Sequence, residues 1–236
     1  MRRPKFAIAC TVVSMAMVAL LSSCKSDPAG PAVQPRNVIF TENFENADSV
    51  SSNWLKIIWQ QGWTAMSTST DYAHSPTHSL ASIDSMTGSK RSITPPISDS
   101  IAGLEFYLSA KKNEHIDFFG CLATTGSSIN GLAIVMGMGI SKTDSLMWVY
   151  QSGADSAAAI HKVGFAVPTL NTWYKCKIEY SFKTSIITYS LNDAIVHQQT
   201  VQVAPPAIQW VITDRESPGV QGPKQYYLDD FTVYTR

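Results

Sequence analysis

Charge of either sign is in short supply. Only 15% of the 236 residues are charged, 18 basic against 18 acidic, and the formal net charge is zero. No run of lysine and arginine builds a basic face, which sets nucleic acid aside as a partner. Cysteine is scarce as well: Cys10, Cys24, Cys121 and Cys176 are the four. None has a partner at metal-ligand spacing, so zinc is not supported. No Gly-x-Ser-x-Gly elbow occurs, which removes the most legible sign of a serine nucleophile. Beyond residue 40 there is no convincing 3.6-residue apolar period, so a helical layer is not expected.

What is present begins with a leader. Arg2, Arg3 and Lys5 precede an apolar run over 6–21 that is too short and wrongly flanked for a membrane span. The run ends in Leu21-Ser22-Ser23-Cys24, which resembles the lipobox of bacterial lipoproteins. The resemblance implies a signal peptide over 1–23, cleavage before Cys24 and acylation of Cys24, with the lipid bilayer as partner. Lys25 does not resemble the aspartate that retains such proteins at the inner membrane, so an outer-membrane place in the cell envelope is expected. Residues 24–36 carry Pro28, Pro31 and Pro35 among small and polar residues and read as a flexible tether. Of the remaining cysteines, Cys121 and Cys176 are either a disulfide in an oxidising compartment or two buried thiols.

Residues 37–236 suffice for one domain with a sizeable core. Short alternating runs separated by turn residues predict an all-β, two-sheet antiparallel sandwich. Strands are expected over 37–44, 57–63, 78–84, 103–110, 116–123, 132–138, 146–150 and 159–167. A single helical turn fits 48–54. The clearest hairpin is 173–182 with 185–191 and 195–203. Asn192-Asp193 supplies the positive φ its turn needs. Tyr174, Cys176, Ile178 and Tyr180 share one face, and Lys175, Lys177 and Glu179 the other. Two strands over 208–213 and 226–234 close the chain. The closing strand is apolar on both parities, yet it holds Asp229 and Asp230. A carboxylate in such a strand requires a cation or paired donors.

The run 172–180, followed by Ile187-Thr-Tyr-Ser-Leu-Asn192, resembles the central hairpin of concanavalin A-like (laminin-G-like) jelly rolls. Phe40-Thr-Glu-Asn-Phe-Glu45, Ser75-Pro-Thr-His-Ser-Leu80 and Leu228-Asp-Asp-Phe231 resemble the ends of jelly-roll carbohydrate-binding modules. The resemblance implies a structural calcium where the first and last strands meet, on Glu45 and Asp229. The alternative is that these carboxylates cap turns or pair with Lys224 or Arg236.

The same fold carries glycoside hydrolases and polysaccharide lyases. A retaining hydrolase needs two carboxyl groups about 5 Å apart. Glu114 and Asp117 fall on opposite faces of a strand, and Asp214 and Glu216 have suitable parity but no third acid nearby in sequence. Arg91, His115 and Arg215 stand in no lyase motif. A non-catalytic polysaccharide or glycan binder is therefore the favoured expectation, with a protein-binding adhesion or scaffold domain as the alternative. Stacking candidates are Trp54, Trp59 and Trp63, grouped with Gln60 and Gln61, and Trp148 with Tyr150, about 7 Å apart on one strand face. Each has core packing as its alternative. Trp173 and Trp210 are assigned to core or strand packing.

Overall fold

The computed structural model describes residues 35–56, 66–82, 86–111, 117–125, 132–140, 146–154, 163–201, 205–216 and 226–236. The chain runs β1 (Asn37–Glu42), α1 (Ala47–Asn53), β2 (Leu55–Lys56), β3 (Ser67–Ser69), β4 (Ser79–Ser82), β5 (Met86–Ile97) and β6 (Ile101–Ala110). It continues with β7 (Asp117–Ala123), β8 (Leu132–Ile140), β9 (Leu146–Ala154), β10 (Val163–Ala166), β11 (Tyr174–Ser181) and β12 (Ile186–Leu191). It ends with β13 (Ala194–Thr200), β14 (Ile208–Glu216) and β15 (Tyr226–Thr235). The first sheet is ordered β13-β12-β11-β6-β15-β4-β3, with β1 also on β15; the second is β10-β9-β8-β7-β14-β5-β2. Among the described residues no helix is long and apolar enough to cross a membrane.

Period-2 patterning builds the interior. Leu104, Phe106 and Leu108 of β6 join Cys176, Ile178 and Tyr180 of β11 in the core. Leu122, Ile134, Met136, Met138 and Val211 meet them from the other sheet. Gly120 is required where the sheets approach: a Cβ there would lie 2.7 Å from the Phe106 ring. The hairpin turn falls where the sequence places it, with Asn192 at φ 49° and Asp193 at φ 66°. Glu179 departs from its expected wet face. It is buried, accepting from the Tyr234 hydroxyl at 2.7 Å and from Arg236 at 3.0 Å.

The disulfide alternative is corrected. Cys121 and Cys176 are both buried thiols outside any disulfide. Cys176 points into the space between the sheets, whereas Cys121 groups with Ala123, Ala133, Val135 and Ile212 on the outer face of the opposite sheet. Packed sheets stand about 10 Å apart, beyond the reach of a disulfide. Burial pushes the Cys176 thiol well above its ordinary value.

The N-terminal strand is secured at its entry. Arg36 donates to Glu105 at 3.0 Å and lies 4.3 Å over the Tyr234 ring, which itself covers Gly103. Asn37 pairs with Thr235 and Glu42 with Phe231, so the opening and closing strands are neighbours throughout.

Candidate functional site

The closing strand bends at Asp230, whose φ is 49°, and the bend splits one edge of β15 between two partners. Tyr226–Leu228 pairs with β4, and Phe231–Thr235 with β1. At that junction Phe44 also turns through positive φ (59°), with its amide held by Glu42 Oε1 at 3.1 Å. A bulky residue there costs free energy, so the surrounding contacts must enforce it. Phe44 and Phe231 meet edge-on at 5.7 Å and Trp54 closes the cluster, so the seam is sealed by rings.

Two carboxylates organise the loop between β3 and β4. Asp229, fully buried, accepts from the His74 amide at 2.8 Å and the Ser75 amide at 2.9 Å through Oδ2. Its Oδ1 accepts from the Asp230 amide at 2.8 Å. Glu45 Oε1 accepts from the Thr77 and His78 amides at 3.0 and 2.9 Å, while Oε2 takes the Thr77 hydroxyl. The two acids titrate oppositely. The Thr77 hydroxyl and the two amides hold Glu45 far below the usual carboxylate range. Burial, with the Asp230 charge in support, pushes Asp229 up in spite of its amide donors.

Between the acids lies Ser75 Oγ. Five oxygens surround it: Asn43 O at 3.1 Å, Glu45 Oε1 at 3.1 Å, His78 O at 3.2 Å, and Asp229 Oδ1 and Oδ2 at 3.0 and 3.1 Å. A hydroxyl has one proton to give, so most of these acceptors are not satisfied by it. Among the described residues no lysine or arginine forms an ion pair with Asp229. Histidines stand nearest: His74 Nδ1 is 2.6 Å from Asp230, and His78 Nδ1 is 3.2 Å from Glu45. Arg236 goes to Glu179 instead, and Lys224 lies outside the described residues.

Aromatic packing presses the same loop onto the first sheet. His74 stacks on Tyr107 at 3.6 Å, and Tyr72 on Trp173 at 5.1 Å, with the Tyr72 hydroxyl donating to Asn171 O at 2.9 Å. Trp173 is thus half-buried packing for a surface loop and not part of the inter-sheet core.

The stacking candidates fare unequally. Trp54 is 4% exposed, with its ring 5.5 Å from Phe231, so it belongs to the core and offers no platform for a ligand. Trp59 and Trp63 lie outside the described residues. Trp148 and Tyr150 occupy β9 in register with Met138 and Met136 of β8. On the acids, the structure supplies what the linear spacing lacks: β7 and β14 pair Asp117 with Glu216, and Phe119 with Asp214, so Asp117, Asp214 and Glu216 share one parity across two strands. Asn43, Ser75, Thr77 and His78 were not named as parts of the site, although the resembling runs 40–45 and 75–80 contain them.

No family model matches the chain, and no curated protein matches it in sequence. Solved structures match its fold. The T. cruzi calreticulin globular domain superposes with a TM-score of 0.62 at 8% identity, over 85% of this chain and 89% of that one. Bacillus licheniformis beta-glucanase gives 0.57 at 14%, over 86% and 100%. The Emp46p carbohydrate recognition domain, in its metal-free form, gives 0.52 at 10%, over 85% and 98%. The chain has the concanavalin A-like jelly-roll fold.

Proposed function

We propose that this protein is a lipid-anchored, non-catalytic carbohydrate-binding protein of the bacterial cell envelope. Its anchor is an acylated Cys24 on the outer membrane, and a structural calcium fastens its termini. The observation that carries the reading is the sandwich itself, a two-sheet jelly roll of the kind found in carbohydrate-recognition domains and glucanases. Glycan array binding by the full-length protein tests it, with Trp148→Ala and Trp59→Ala expected to weaken the signal. Silence across plant, algal and host glycans favours a protein-binding scaffold instead. Cys24→Ser is expected to move the protein to the soluble fraction.

The calcium reading rests on the oxygens around Ser75. Calcium takes six to eight oxygen ligands, carbonyls included, and tolerates irregular geometry. Glu45 and Asp229 would hold it with the carbonyls of Asn43 and His78, and its charge would supply the cation that buried Asp229 lacks. A melting temperature unchanged by EDTA would remove the ion from the reading.

A second reading, glycoside hydrolysis, is favoured by one observation, the β7–β14 register. That register sets Asp117 directly opposite Glu216, and a retaining hydrolase works through two neighbouring acidic residues. Release of reducing ends from β-glucans, abolished by Glu216→Gln, would replace the non-catalytic reading.

A further inference from the structure

A groove of about 350 Å³ lies between β1, the end of α1, β2 and β5. Arg91 stands in it. Its guanidinium lies 4.0 Å over the Phe40 ring and donates through Nη1 to Glu42 Oε2 at 3.0 Å. Glu42 is 6% exposed and is fixed from other sides by the Phe44 amide and Ser49 Oγ, so the pair is anchored. Arginine carries five N–H donors in a planar fork. Among the described residues the Arg91 guanidinium makes no other side-chain hydrogen bond, so its Nη2 and Nε donors remain open.

The walls suit a sugar. Phe40 and Leu55, the latter 53% exposed, offer apolar surface, and Asn53, Ser92 and Thr94 offer an amide and hydroxyls. An added peptide strand is disfavoured: β1 is bulged between Val38 and Phe40, and Pro95 and Pro96 leave the far part of β5 without N–H donors.

We infer that this groove is a subsite for the anionic substituent of an acidic sugar, a uronate carboxylate or a sulfate ester, with the Arg91 fork as its receptor. The inference rests on the glycan-binding reading and names the sugar class. Glu42 keeps one side of the guanidinium occupied and aligned, and the other side takes the planar or tetrahedral anion through paired N–H donors.

Calorimetry on the full-length protein tests it with oligogalacturonate, its methyl-esterified form, a chondroitin sulfate oligosaccharide and its desulfated form. One acidic probe is expected to bind at least 10-fold more tightly than its neutral counterpart, and that probe names the substituent. Arg91→Lys keeps a charge for Glu42 but loses the fork. Ser92→Asp places a competing carboxylate at an exposed position, where folding is undisturbed. Each is expected to weaken the acidic probe at least 10-fold and to narrow the gap between it and its neutral counterpart. Equal binding of acidic and neutral probes, or acidic binding untouched by both variants, overturns the inference and leaves the glycan reading standing. Glycan binding in no arm and on no array overturns both.

Discussion

Glu42 and Asp229 pose the same physical problem a few residues apart and meet it differently. Both are buried carboxylates beside the β1–β15 ladder. Glu42 has a cation of its own in Arg91, at 3.0 Å. Asp229 has only amides and a hydroxyl, and a second acid, Asp230, as its neighbour. Burial disfavours a charge, and hydrogen bonds offset that cost only in part. The raised titration of Asp229 records the shortfall. The comparison teaches that one buried carboxylate is matched by a cation within the fold and the other by hydrogen-bond donors alone.

The largest effect is expected from Asp229→Ala. It strips the His74 and Ser75 amides of their acceptor at about 1–3 kcal/mol per orphaned donor. A loss of roughly 3–5 kcal/mol should lower the melting temperature by about 10 °C. Asp229→Asn keeps the shape without the charge; if the seam holds calcium, this variant melts identically with and without EDTA. Next comes Arg91→Met, which leaves Glu42 charged and unpaired. Because Arg91 is partly solvated, about 2–3 kcal/mol is expected by urea unfolding, and the double variant Glu42→Gln/Arg91→Met should recover most of it. Recovery in the double variant is what separates a matched pair from simple packing.

Ser75→Ala should cost about 1 kcal/mol, the worth of one hydroxyl contact, and leave any EDTA sensitivity intact. The smallest effect concerns pH. Glu45 titrates below its unfolded value, so its contribution is fully present above the ordinary glutamate range and is lost as pH falls below about 4. The stability gap between the natural protein and Glu45→Gln should therefore shrink in acid. Asp229 carries the opposite sign: in EDTA its contribution is present below the ordinary aspartate range and is lost as pH rises through its raised value. Thermal melts across that window, set against Asp229→Asn, resolve the two.

Part of the sandwich was legible where polar and apolar residues alternate along a strand. The alternation in β6 and β11 announces itself, and Asn192-Asp193 marks its turn without help from the rest of the chain. The long strand β5 was not foreseen. Its Gly, Ser, Thr and Pro content reads as loop, and only pairing with β14 makes it a strand. Asp229 could be singled out from its apolar company, but its donors come from residues 74 and 75, and no local pattern foretells that. Trp54 was misjudged because glutamines follow it closely in sequence, whereas its ring turns inward to Phe44 and Phe231. The Asp117–Glu216 pairing depends on strand order, which periodicity does not encode.

Arg36 has a mechanical consequence. A pull on the chain ahead of it would peel β1 away rung by rung from Asn37, the weakest way to load an antiparallel pair. Before the first rung opens, the guanidinium must be lifted from Tyr234 and Glu105, which sit on β15 and β6 in the middle of the sheet. Tension entering at β1 is thereby shared with two interior strands before its first rung opens.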